Sequence, residues 1–270
     1  MKIFVEGMGV LGPGLAGWQA SLSILAGSAA YLDAALLIPP NDLLPAAERR
    51  RTGLPVKIAL AVGCEAITHA QRNATQLVNI SSLATVFASS AGDGENMHTI
   101  FETLANNGRE VSPTRFHNSV HNAPSGYWSI ATKSMAPSTS LACFDATFSA
   151  GLIEAATQAL TGENSVALIA YDSPYPQPLH AARPISAAFG VALVLSGHKT
   201  QHSLAELEIR IVHRSGVSTP AADAGLEVMR VGTPAARSLP LLSALAKSSS
   251  DVIHLDYIAG NQIDVSVRPC

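Results

Sequence analysis

Cys143 and Asp145 stand two residues apart where an apolar run, 138–144, gives way to a helical stretch, 146–160. A thiol at a helix N-terminus has its thiolate stabilised and becomes a nucleophile. Free cysteine is also among the residues most often buried for packing alone, so periodicity leaves the role of Cys143 open. His117 and His121 are four apart, yet Pro124 and the polar composition around them argue against a helical zinc pair, and no H-E-x-x-H occurs. Asp93, Glu95 and His98 are metal-ligand types. At a turn and helix start, capping and the helix dipole favour the same residues, and that is the preferred reading. No G-x-S-x-G marks an esterase-type nucleophile turn.

Two further motifs carry weaker signals. Gly7-Met8-Gly9-Val10-Leu11-Gly12 spells G-x-G-x-x-G after a strand, formally a dinucleotide fingerprint. Pro13 and Gly14 follow at once, the next helix starts late, and Asp33 precedes the next apolar run instead of ending it, so a strand-to-loop turn is expected. Arg49-Arg50-Arg51 is the only basic run and suits a phosphate or an acidic carrier protein; beside Glu48 it reads better as a solvated face.

The elements that must position these groups alternate as short apolar runs and longer helical stretches, the pattern of a layered α/β domain. Strands are expected at 2–6, 84–90, 138–144, 165–171, 188–195 and 205–212, with a closing hairpin of 251–256 and 264–267. Helices are expected at 17–26, 55–70, 98–106 (closed by Gly108), 127–134, 146–160 and 238–246; 37–45, 113–126 and 173–184 read as irregular. Hydrophobic residues are 47% of the 270 and charged residues 14%, which excludes a disordered chain. Seventeen basic against twenty acidic residues, with no dominant basic block, argue against nucleic acid as main partner. Cys64, Cys143 and Cys270 form no C-x-x-C pair; a reducing, cytoplasmic setting without disulfide, metal or cofactor is expected. No apolar run is long enough for a membrane span, and one domain, 1–270, is the simpler organisation.

The middle block resembles the β-ketoacyl synthase family, of the thiolase fold. In that family a strand reading roughly S-x-x-T-A-C leads into a long buried helix that ends in glycine before another apolar strand. Ser140-Leu141-Ala142-Cys143-Phe144-Asp145, the helix up to Gly162 and the strand 165–171 are similar to that unit. Upstream, 111–126 resembles the family's I-S-P…N-x-x-x-G loop, and GMGVLGPG with the Trp18 helix resembles its opening. The resemblance spans about 1–212 and implies a layered α-β-α fold, truncated after the N-terminal half. Residues 213–270 would be a shortened remnant with a helix and a hairpin.

The departures imply a function. In the alignment that keeps the helix length, Asp145 fills the nucleophile position and Cys143 lies two residues early, about 6–7 Å away along a strand. Only 58 residues follow Val212, too few for the second half that brings the family's two catalytic histidines, and His213 and His254 stand in no H-G-T-G or G-H motif. Such a chain resembles the chain-length-factor type of subunit, most of all the truncated partner in aryl polyene synthases. That implies a non-catalytic heterodimer partner of an active ketosynthase, meeting an acyl carrier protein and its chain. The strand 138–143 would pair across a two-fold axis, removing an exposed edge, through Ser138, Ser140 and Ala142. Phe116, His117, Val120, His121 and Asn122 would line the interface or acyl pocket. The rival readings are a small acyltransferase or decarboxylase using Cys143, or Asp145 with His121, and a homodimeric acyl-binding module.

Overall fold

The structure, a computed structural model, describes residues 1–40, 42–72, 79–106, 110–162, 165–214 and 216–270. Its strands are β1 (Lys2–Gly12), β2 (Leu15–Ala16), β3 (Ala84–Ala88), β4 (Ser138–Leu141), β5 (Val166–Asp172), β6 (Phe189–Ser196), β7 (Ala205–His213), β8 (Asp251–Asp256) and β9 (Asn261–Pro269). They form one sheet in the order β4-β3-β5-β6-β1-β7-β9-β8, with β2 added to β1. β4, β3 and β5 run parallel, so their carboxyl ends meet at one end of the sheet. The helices are α1 (Trp18–Leu25), α2 (Ala46–Arg51), α3 (Leu54–Gln71), α4 (Gly94–Ala105), α5 (Pro113–Asn118), α6 (Ala123–Thr132), α7 (Thr147–Thr161), α8 (Leu179–Ala182), α9 (Ala224–Gly232) and α10 (Leu239–Lys247).

β5 and β6 are buried at every position, as strands must be when helices cover both faces. On one face Ile58 and Val62 of α3 and Trp128 of α6 pack against Phe87, Ile169 and Val194. On the other, Phe148 and Leu152 of α7 and Leu241 of α10 pack against Leu168, Leu193 and Val265. The result is the expected α-β-α layering of the thiolase type. The tail beyond 212 is no appendage: β9 pairs with both β7 and β8 and completes the sheet. Among the described residues no helix is long and apolar enough to cross a membrane.

The largest departure from expectation is β1, which does not end at residue 6 but runs on through the glycines to Gly12. These glycines make no turn; they admit a helix. A Cβ on Gly7 would stand 2.1 Å from the Ala66 carbonyl oxygen, and one on Gly9 2.3 Å from that of Val62. β7 pairs with β1 only over residues 2–5, and side chains of α3 take over beyond. Met8 N–H donates to His69 Nδ1 at 3.1 Å and Val10 N–H to Glu65 Oε2 at 3.0 Å. Glu65 also accepts from Trp18 N–H at the start of α1. Burial pushes the Glu65 carboxyl up, against the two hydrogen bonds it accepts, and pushes the His69 imidazole down, which suits a ring whose Nδ1 accepts from Met8.

Residues 113–126, expected to be irregular, hold α5 and the start of α6. Pro113 and Pro124 fall in their first turns, where a missing N–H costs nothing and the fixed φ helps. α9 was not foreseen; Asp223 caps it by accepting from Gly225 and Leu226 N–H. α4 starts four residues earlier than expected, at Gly94, and Gly108 lies outside the described residues.

Candidate functional site

β4 ends at Leu141, so Cys143 is not on a strand. It precedes a single tight turn, Phe144–Ala146, which leads into α7. Phe144 takes the bend with φ 50, a left-handed conformation rare for an aromatic residue. The turn is tied internally: Cys143 N–H donates to Thr147 Oγ1 at 2.9 Å, and that hydroxyl donates to the Phe144 carbonyl at 2.6 Å.

Asp145 lies inside this turn, and both of its oxygens are engaged. Arg183 Nη2 donates to Oδ1 at 2.9 Å, and Arg237 Nη2 lies 3.2 Å from Oδ2. Arg237 also reaches Asp256 Oδ2 at 3.0 Å through Nη1, so two guanidinium groups and two carboxylates alternate. The Arg183 guanidinium carbon sits 3.6 Å from the centroid of the Phe144 ring, a cation–π stack. Three distant segments thus converge on the junction: the loop after β5, the turn Pro234–Ser238 and the end of β8.

A buried hub aligns them. Asp172, at the carboxyl end of β5, accepts from Ser90 N–H and Oγ at 2.8 Å each and from Ala235 N–H at 2.8 Å. It binds the loop after β3 to the turn that carries Arg237. Burial pushes its carboxyl up to about 6, although these bonds favour the charged form.

The histidines singled out in the sequence have partners of their own. His121 Nε2 lies 2.9 Å from the Ser89 carbonyl oxygen, so it donates there and is not an acceptor at that atom. His117 lies edge-on to Tyr127. His254 Nδ1 is 2.7 Å from Asp264 Oδ1 and 2.9 Å from Arg214 Nη2, and His213 Nδ1 faces Asn261. Asp93 caps α4 by accepting from Asn96 N–H, and His98 pairs with Glu102 on the same helix. Arg49 and Arg51 pair with Asp42 and Glu48.

The residues named for an interface gather around the same end. Ser89 N–H donates to the Leu141 carbonyl while its own carbonyl takes His121, so the α5–α6 junction adjoins the end of β4. Phe116 and Val120 are exposed there, and Asn122 opens α6, its carbonyl accepting from Ser125 Oγ. β4 is an edge strand. The Pro137 and Leu141 carbonyls point to β3; by alternation, the backbone groups of Ser138 and Ser140 point away from the sheet, whereas Ala142 lies one residue beyond the strand. Sequence reasoning missed Phe144, Arg183, Arg237 and Asp256. Each is an isolated residue, and only the folded chain brings them together.

The sequence profile of the family described as "Beta-ketoacyl synthase, N-terminal domain" matches residues 26–239. Among curated proteins no match is found. Among solved structures, a ketosynthase in complex with its chain length factor from Xenorhabdus doucetiae is similar at a TM-score of 0.73 and 20% identity, over 98% of this chain and 99% of that one. The ishigamide ketosynthase/chain length factor gives 0.70 at 13% identity, over 99% of each chain. A β-ketoacyl synthase from Burkholderia phymatum gives 0.69 at 11%, over 100% of this chain and 99% of that one. At these identities the likeness is one of fold.

Proposed function

This chain belongs to the β-ketoacyl synthase family, and from that premise we propose that it is a non-catalytic, chain-length-factor-type subunit. It would pair with an active ketosynthase in the cytoplasm, stabilise it, and help shape the pocket for an acyl or polyene chain delivered by an acyl carrier protein. An aryl polyene-type pathway is the setting that the sequence resemblance favours. The observation that carries the reading is the strand-to-helix junction. Where a nucleophile would be presented, Phe144 occupies the bend, and Asp145 is held through both oxygens by Arg183 and Arg237. A carboxylate with both oxygens tied up in ion pairs is a poor acyl acceptor.

The chain works as one unit in this reading, because residues 205–213 and 251–269 extend the same sheet as the N-terminal strands. Ser138, Ser140 and Ala142 would supply the backbone edge for the partner, with Phe116, His117, Val120, His121 and Asn122 beside it. An unpaired edge is a liability that pairing removes, and an interface of this kind exceeds about 2,000 Å².

The test is reconstitution with an active, full-length ketosynthase from the same genome. The pair should co-purify, and chain extension should acylate the ketosynthase alone by intact-protein mass spectrometry. Asp145→Ala should retain extension wherever the complex stays intact. An acyl group on Cys143 or Asp145 during turnover, or loss of chemistry in an intact Asp145→Ala complex, overturns the non-catalytic role.

A further inference from the structure

We propose that Arg183 and Arg237 form a receptor for a small free carboxylate, closed in the native chain because Asp145 occupies it as a built-in ligand. The inference goes beyond the heterodimer reading and needs no partner subunit. Each carboxylate oxygen of Asp145 faces a different guanidinium: Arg183 Nη2 donates to Oδ1 at 2.9 Å, and Arg237 Nη2 lies 3.2 Å from Oδ2. One cation on each oxygen, brought from two remote segments, is a geometry made for a carboxylate. α7 starts two residues on and adds the partial positive charge of its first turn.

The two cations are held by more than Asp145. Arg183 is anchored through its backbone N–H, which donates to the Leu179 carbonyl at 2.9 Å, and its guanidinium stacks on the Phe144 ring at 3.6 Å. Arg237 keeps Asp256 Oδ2 at 3.0 Å, and its turn is pinned by Asp172, which accepts from Ala235 N–H. Arg237 Nε is buried and finds no hydrogen-bond partner among the described residues. A buried donor without a partner is costly. The fold accepts that cost to aim the two outer nitrogens, each at a carboxylate.

Exposure gives the site its direction. Both arginine side chains are 21% exposed and that of Asp145 is 39% exposed, so the ligand lies at the mouth and the cations lie behind it. A carboxylate built into the adjoining turn is already in place, and any free carboxylate has to compete with an intramolecular one. The native chain therefore excludes free carboxylates, and shortening residue 145 opens the receptor while its cations stay in position.

The test is the melting temperature of the purified full-length chain in sodium formate against sodium chloride at equal ionic strength. Asp145→Ala leaves a gap the size of one carboxylate, and about 100 mM formate should raise its melting temperature by about 2 °C over chloride. Wild type and Asp145→Asn, whose sites stay filled, should show no difference between the two salts. Adding Arg183→Gln to Asp145→Ala should remove the response. Asp145→Gly, with the larger gap, should respond to acetate in the same way and serves if the alanine chain does not fold. Equal melting of Asp145→Ala in formate and chloride, or the same formate gain in wild type, overturns the receptor. Either result leaves the heterodimer reading standing, since co-purification with the ketosynthase decides that separately.

Discussion

Two junctions between strand and helix carry the contrast within this molecule. At the seam of β1 and α3, glycines let the helix backbone approach the strand to the limit, and Glu65 and His69 close its open hydrogen bonds. At the junction of β4 and α7, the chain turns through a strained aromatic residue, and charged side chains from three remote segments brace it. The first is sealed by shape and the second by charge. A motif that suggests ligand chemistry on paper serves packing at the seam, whereas the junction singled out in the sequence for nucleophile chemistry is occupied by a brace.

The contrast breaks most severely at the seam. Gly7→Ala or Gly9→Ala would drive a methyl into a helix carbonyl, and a cost of about 3 kcal/mol or more is expected, read as a fall in the urea midpoint. The Asp172 hub comes next. Its carboxyl is raised to about 6, so the folded chain holds that proton more tightly than the unfolded one. The associated stability is complete below about pH 4 and is lost as pH rises through about 6, by up to about 3 kcal/mol. Urea titrations from pH 4 to 7 should show that decline, and Asp172→Asn should flatten it. The variant's own midpoint should be lower, because an amide nitrogen then faces backbone N–H donors.

The brace should yield less. Asp145→Ala leaves Arg183 without its carboxylate and Arg237 with Asp256 only, and a loss of about 1 kcal/mol is expected, since the pair is partly open to solvent. High salt should shrink that loss while leaving the glycine variants unaffected. The smallest effect belongs to Cys143→Ser. A catalytic thiol would abolish extension, whereas this substitution should leave the reconstituted complex at wild-type activity.

Much of the scaffold was legible because its signals are local. The strands that became β5 and β6, the helix α7 and the hairpin of β8 and β9 all declare themselves in apolar runs between turn residues. β1 was cut short because glycine signals a turn unless a helix is known to lie against it. α5 and the first turn of α6 were hidden by proline, which starts helices as readily as it breaks them. The junction residues were legible only in part. Asp145 could be singled out from helix length, but Arg183 sits in a proline-rich loop and Arg237 in a single turn, and no spacing rule joins them to residue 145. Phe144 carried no signal, since a positive φ on a non-glycine residue is a property of the fold and not of the residue type.

The open flank of β4 has a consequence for supply. In the proposed heterodimer the outward backbone groups at Ser138 and Ser140 would be quieted only when a second subunit arrives, so production of the two chains would have to be matched. On that proposal surplus copies would be recognised by quality control and degraded, and the steady-state amount of this chain would follow the dosage of the ketosynthase instead of its own transcript.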